Sequence, residues 1–154
     1  MKSCRLLLFV VIIIVAGCAV TPSTAPKFYH APRPSPNNAL LYIYRLEAPP
    51  LLHAPVLLID GRVVFSPTEK SYTWVHISPG QHHVKVDWSA MAGPPDLEFD
   101  INVIQQNDNF LKLTGSVLSA GMITNFGARA GMVDPAYALN EVNAKCRYIS
   151  NTYQ

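Results

Sequence analysis

His76 and His83 flank the stretch SPGQ, and if Ser78 faces Gln81 across a two-residue turn, their imidazoles lie opposite one another with His82 turned the other way. Two imidazoles on one face are the start of a metal site, which needs a third or fourth ligand and supporting bonds behind it. Asp87 is too far along the strand to be an obvious third, so surface histidines are the expectation and no metal ligand is assigned. Asp96, Glu98 and Asp100 alternate with Leu97, Phe99 and Ile101, which lines the carboxylates along one strand face about 7 Å apart. That spacing suits a glycosidase pair or part of a calcium site, but no loop converges further oxygens on it, and a solvated sheet face is expected. The aromatic set Tyr42, Tyr44, Tyr72, Trp74 and Trp88 could stack on sugar rings or anchor a protein partner. Alternation sends some of these rings into a core; Tyr72 and Trp74 are expected at the surface, and with His76, His83 and Lys85 they form the candidate binding surface. The chain has no GxSxG, no HExxH and no cysteine set with a histidine in a recognised order, so no catalytic residue and no cofactor is assigned.

The elements that must position these groups read as strands. ALLYIYRL is apolar and aromatic, and PVLLIDGRVVF reads as two short strands about Asp60-Gly61, a dipeptide suited to a type I′ hairpin. SYTWVHI and HHVKVDW follow, joined by SPGQ, where Pro79 presets a turn and Gly80 can take a positive φ. Treated as a hairpin, this pair puts Thr73, Val75 and Ile77 with His82, Val84, Val86 and Trp88 on the core face. Tyr72, Trp74 and His76 then share the other face with His83, Lys85 and Asp87. DLEFDINV and NFLKLTG supply two more strands around QQNDN. Short strands with turn signals at close intervals argue for a mainly β fold, a small antiparallel β-sandwich or barrel.

After Thr114 the stretch GSVLSAGMITNFGARAGMV has four glycines among small and apolar residues, which suits a loop or twisted hairpin in close contact with its neighbours. It lacks the order of a phosphate cradle, and contact with lipid or a partner is the functional alternative to packing. Asp134-Pro135 reads as an N-cap with proline in the first turn, opening a helix through about Lys145. Leu139, Val142, Cys146 and Ile149 recur at three and four residues as one apolar stripe, expected to cover a sheet edge or end.

The N-terminus determines where such a domain would work. Lys2 and Arg5 precede the apolar run LLLFVVIIIVAG, and Ala16 and Gly17 stand before Cys18, the parts of an export signal. The run ends at Thr21 and is too short to span about 30 Å of hydrocarbon, which takes roughly 20 apolar residues. VAGC resembles the lipobox of bacterial lipoproteins, in which cleavage precedes the cysteine and that cysteine is acylated. The resemblance implies that Cys18 becomes the first mature residue and attaches the chain to a membrane through its acyl chains, two or more of which hold durably. Ala19, rather than aspartate, points by the same resemblance to the outer membrane with the domain in the periplasm. Cys4 would leave with the signal, so Cys146 would be the one remaining thiol, expected as buried packing. The formal net charge of +2 includes Lys2 and Arg5, which leaves a mature chain near neutral without a basic face for nucleic acid. Residues 18–38 carry Pro22, Pro26, Pro32, Pro34 and Pro36 and read as a semi-rigid spacer of about 3.1 Å per residue, holding the domain off the lipid.

The pattern ALLYIYR, VLLIDGRVV, SYTWVHISPGQHHVKV and MVDPAYALNEVNAKCRYI resembles the lipoprotein domains called domain of unknown function 2846, and is similar to PEGA-type sandwich repeats. The resemblance implies a small, exported, mostly β domain and brings no catalytic residue with it. The expected organisation is a signal over 1–17, a lipidated cysteine and tether over 18–38, a β-sandwich with a C-terminal helix over 39–150, and a tail over 151–154. The expected role is a non-catalytic interaction or structural module of the bacterial envelope, with an envelope protein as partner; the alternative is a module that binds carbohydrate or cell-wall glycan.

Overall fold

A computed structural model describes residues 20–46, 53–120 and 123–153, the side chains of 120 and 123 excepted. Cys18 and the expected signal lie outside the described residues. The strands are β1 (Ala39–Arg45), β2 (Val56–Ile59), β3 (Arg62–Phe65), β4 (Ser71–Ile77), β5 (Gly80–Asp87), β6 (Leu97–Val103), β7 (Asp108–Ala120), β8 (Ile123–Val133) and β9 (Arg147–Tyr148), with helix α1 (Pro135–Lys145) before the last. They form a five-stranded sheet ordered β8-β7-β1-β4-β9 and a four-stranded sheet ordered β3-β2-β5-β6. Most pairs are antiparallel; β1 with β7 and β4 with β9 are parallel. The fold is a small β-sandwich with one C-terminal helix.

The stretch SPGQ does not close a hairpin. β4 pairs with β1 and β9, whereas β5 pairs with β2 and β6, so the turn is a corner that carries the chain from one sheet to the other. A locked corner stands in place of the hairpin: Gly80 takes φ +120°, and the His82 ring turns back to lie 2.8 Å from the Ser78 carbonyl oxygen. The inward alternation is nonetheless as expected. Thr73, Val75 and Ile77 from one sheet meet His82, Val84, Val86 and Trp88 from the other, all buried. Ala39, Leu41 and Ile43 of β1, Leu57 and Ile59 of β2 and Leu111 of β7 complete this inter-sheet core. At about 1.5–3 kcal/mol for each fully buried large aliphatic side chain, it is the main source of stability.

A second apolar cluster lies on the outer face of the five-stranded sheet. Leu40, Tyr42, Tyr44, Tyr72 and Phe110 are buried there beneath Ala138, Val142 and Cys146. Asp134 caps α1 as expected, its Oδ1 accepting from the amides of Ala136 and Tyr137. The helix thus covers a sheet face rather than an edge, and Ile149 lies beyond it, its amide donating to the Tyr72 carbonyl in continuation of β9.

The rest of the cover is the segment expected to be a free spacer. Val20 bridges to Glu69 and Lys27 to Arg147. The Tyr148 amide donates to the Pro26 carbonyl at 2.8 Å, and Arg147 Nη1 donates to the Ala25 carbonyl at 2.8 Å. Phe28 packs into the outer cluster, with ring centroids 6.0 Å from Tyr42 and 5.4 Å from Tyr72. Residues 20–38 are a strap, not a spacer, because Phe28 and the uncovered tyrosines bury apolar area only together. Its prolines restrict the unfolded segment and lower the entropic cost of laying it down. The expected tail is likewise bound: the Thr152 amide donates to the Val64 carbonyl at 2.7 Å, Asn151 Nδ2 donates to the Trp74 carbonyl, and Tyr153 packs against the inter-sheet core.

Register fixes two ends of the sandwich. Ala39 aligns with Ile77 and Leu40 with Asp108, which puts the SPGQ corner and the β6–β7 turn at the first end. Arg45 aligns with Ser71 and with Leu113, which puts Glu69 and the continuation of β7 at the second. The strap therefore enters at the second end, by Glu69, and reaches the first.

Candidate binding groove

The five residues of the expected binding surface do not form one surface. Because the SPGQ corner switches sheets, Tyr72, Trp74 and His76 face outward from one sheet, while His83 and Lys85 face outward from the other. Tyr72 is fully buried, and burial pushes its phenol up to about 12. Its hydroxyl oxygen accepts from the Tyr29 amide at 3.0 Å, so the ring expected to meet a partner meets the strap. Trp74 is half-buried between His76 and Tyr148, at 5.3 and 6.2 Å between ring centroids. His76 Nε2 lies 2.9 Å from the Pro32 carbonyl oxygen, a further strap contact.

On the open sheet His83 Nδ1 lies 2.9 Å from Asp100, and Lys85 sits 3.7 Å from both Asp96 and Glu98. The alternating acids thus line an outer face, as expected, where each meets a base or an amide: Asp96 also accepts from the Trp88 amide at 2.8 Å. Among the described residues no three His, Cys, Asp or Glu side chains gather where they could hold a metal ion.

Several polar groups that chemistry could have used are engaged in holding the fold. Tyr44 and Lys112 each donate to Glu141 at 2.7 Å, fixing α1 to the sheet, and Tyr137 adds a bond at 3.0 Å from within the helix. Burial alone would raise the Glu141 pKa; the bonds from Lys112 and the two tyrosines outweigh it and hold the carboxylate below its ordinary range. Asp60, at φ +50° in the β2–β3 turn, lies 2.7 Å from His82 Nδ1 and accepts from the His83 amide. These bonds outweigh its desolvation and hold its carboxyl low as well. The His82 ring thus bridges the Asp60 carboxylate and the Ser78 carbonyl. Arg45 is buried in the inter-sheet core with its guanidinium 5.2 Å over Trp88, donating to the carbonyls of His53 and Pro67. Burial lowers it to about 10, against the opposing charge of Glu69. The signal for it was a lone cation closing an otherwise apolar strand. The Cys146 thiol is buried at the end of α1 and pushed up to about 12, first by burial.

A concavity lies at the first end, lined by none of the five residues of the expected binding surface. A groove of about 700 Å³ opens between the strap and the β6–β7 turn, with Leu40 and Tyr42 at its floor. Its walls carry Arg33, Asn38, Gln105, Gln106, Asn107 and Asp108. Both walls are pinned. Buried Asn109 shares its Nδ2 hydrogens among the carbonyls of Leu40, Ile104 and Asn107 and accepts the Ile104 amide on Oδ1, which shapes the turn. Gln105 Nε2 donates to the Pro36 carbonyl at 2.6 Å, and the Ala31 amide donates to the Tyr42 hydroxyl at 2.9 Å, which fix the strap. QQNDN had read only as a polar turn; two strands leaving it for different sheets are what make it a wall. No known protein-family model, curated protein or solved structure matches this chain.

Proposed function

We propose that this chain is a non-catalytic binding module of the bacterial envelope, attached to the outer membrane through acyl chains on Cys18, with its domain in the periplasm. We propose further that it holds cell-wall glycan in the groove at the first end. The observation that carries the reading is the groove itself: about 700 Å³, and walled by amides, one carboxylate and one guanidinium over Leu40 and Tyr42. Amide donors and acceptors suit hydroxyl- and acetamido-rich ligands, which need many directional bonds. Tyr72 is buried against Tyr29 and His76 lies against the Pro32 carbonyl, so the groove, not that face, is the surface this reading uses. The anchoring half rests on the resemblance of VAGC to the lipobox. With Val20 paired to Glu69 at the second end, such an anchor leaves the groove facing away from the lipid, where cell wall is met.

The test is retention of the detergent-purified full-length protein on purified cell-wall sacculi after a salt wash. Asp108→Ala and Arg33→Ala should each reduce retention severalfold without lowering the unfolding midpoint. A wild-type protein that washes off completely sinks the glycan reading; one dominant crosslinked envelope protein in intact cells would restore the partner reading. Cys18→Ser should release the protein from membranes, and its staying there would remove the acyl anchor.

A further inference from the structure

We infer that the projecting end of the β7–β8 hairpin is a second, noncovalent membrane contact that lies in the lipid interface beside the anchor. The inference rests on acylation of Cys18, as proposed above. β7 pairs with β1 only as far as Leu113, and beyond it residues 114–120 continue paired to residues 129–123 of β8 alone. At about 3.3 Å per residue this two-stranded ribbon extends roughly 20 Å past the end of β1. It leaves the sandwich at the second end, the end at which Val20 bridges to Glu69. Cys18 precedes Val20 by two residues, a reach of about 7 Å at most. Acyl chains on Cys18 would therefore bring the bilayer surface to the side of the molecule from which the ribbon extends.

The ribbon's composition suits that position. From Leu113 to Ala128 the sequence has no Asp, Glu, Lys or Arg, and Leu118 is 72 % exposed. Val117 is exposed as well, and Met91, on the neighbouring loop after β5, is 87 % exposed. Large apolar side chains left in water around the rim of one end mark a surface that is covered in use. The base is braced to carry such a load. Phe126 packs on the loop after β5, where a Cβ at Gly93 would lie 2.8 Å from its ring, and Ala128 and Ala130 pack against the inter-sheet core. Its edge, β8, would also pair with a strand of a second copy. The lipid surface is preferred because the ribbon carries no charge beyond Arg129 at its base and leaves the sandwich at the end where Val20 sits.

The experiment labels Leu118→Cys of the full-length lipidated protein with an environment-sensitive fluorophore, buried Cys146 being shielded from the reagent. A label on Arg62→Cys, in the β2–β3 hairpin on the other sheet, is the control. Both proteins are reconstituted in vesicles of phosphatidylethanolamine and phosphatidylglycerol whose acyl chains carry bromine, and intact mass independently reports acylation at Cys18. The label at 118 should shift to the blue and lose most of its emission to the brominated lipid, while the label at 62 does neither. Acylated, vesicle-bound protein with an unquenched label at 118 overturns the ribbon contact and leaves the anchor standing. A blue shift at 118 that is the same in brominated and ordinary lipid, with crosslinking between copies, also overturns it, in favour of edge pairing. An unmodified Cys18 together with an unquenched label removes both readings.

Discussion

The two sheets turn opposite kinds of face outward. β1 and β4 present Leu40, Tyr42, Tyr44 and Tyr72, all buried beneath the strap and α1, whereas β5 and β6 present His83, Lys85, Glu98 and Asp100 to water. Both are outer faces of strands with one side in the same core. The difference shows that a strand apolar on both sides must be covered from elsewhere in its own chain, while a strand that alternates apolar with charged needs no cover. Aromatic rings on the first face are therefore the binding site of the strap, and the strap in turn forms one wall of the groove.

Breaking the covered face has the largest expected effect. Tyr72→Ala removes a buried ring against which Phe28, Tyr29 and Tyr148 pack, and should cost about 3 kcal/mol, read as a lowered denaturant midpoint. Tyr72→Phe keeps the ring and loses only the hydroxyl that receives the Tyr29 amide, about 1 kcal/mol. If Tyr72→Ala were as mild as Tyr72→Phe, the strap would not be packed on this face in solution.

Glu141 comes next, because it bonds helix to sheet on that same face. Glu141→Gln leaves the Lys112 ammonium, 17 % exposed, without its carboxylate, and should cost about 2 kcal/mol. The sign with pH follows from a folded-state pKa held below its ordinary value. The carboxylate's contribution is complete above about pH 4.5 and is lost as pH falls through the folded value. Wild type and Glu141→Gln should therefore draw together in stability as pH falls below about 4.5, and midpoints measured from pH 7 to pH 3 check it. A constant difference across that range would mean that the ionised pair contributes nothing.

Much of this contrast was legible in the sequence, and the part that was not has a physical reason. Period-two alternation identified the core residues of β4 and β5 correctly even though the two strands were joined in the wrong sheet, because inward and outward are local properties of a strand. Whether SPGQ closes a hairpin or turns a corner is decided by which strands β4 and β5 pair with, and these come from 39–45, 56–59, 97–103 and 147–148. The same distance in sequence hid the strap: five prolines read as a spacer, while Phe28 and Tyr29, which a spacer does not need, were the overlooked sign. The helix cap at Asp134 needed only its neighbours and was legible at once. The groove was not, since its two walls are separated by about 70 residues, as the bond from Gln105 to Pro36 records.

A smaller effect is expected at the junction of the two faces. Asp60→Asn keeps a residue that tolerates the left-handed backbone at φ +50° and keeps an acceptor for the His83 amide, but removes the charge facing His82. It should cost about 1 kcal/mol. Since the Asp60 pKa is also held low, that difference too should be present at pH 7 and fade as pH falls below about 4. A neutral substitution would show that the corner is held by Gly80 and the strands rather than by the Asp60–His82–Ser78 bridge.

The smallest effect belongs to the open face, and it tests the comparison most directly. Asp100→Asn breaks the 2.9 Å contact with His83, but both side chains are more than half exposed, at 70 % and 54 %. Water replaces what is lost, and an exposed pair of this kind is worth less than about 0.5 kcal/mol. Raising the salt concentration should leave the wild-type midpoint nearly unchanged for the same reason. A loss comparable to that of Glu141→Gln would mean that this face, too, is covered in the folded protein, by a partner or a second copy, and the contrast between the two sheets would then be one of what covers them rather than whether they are covered.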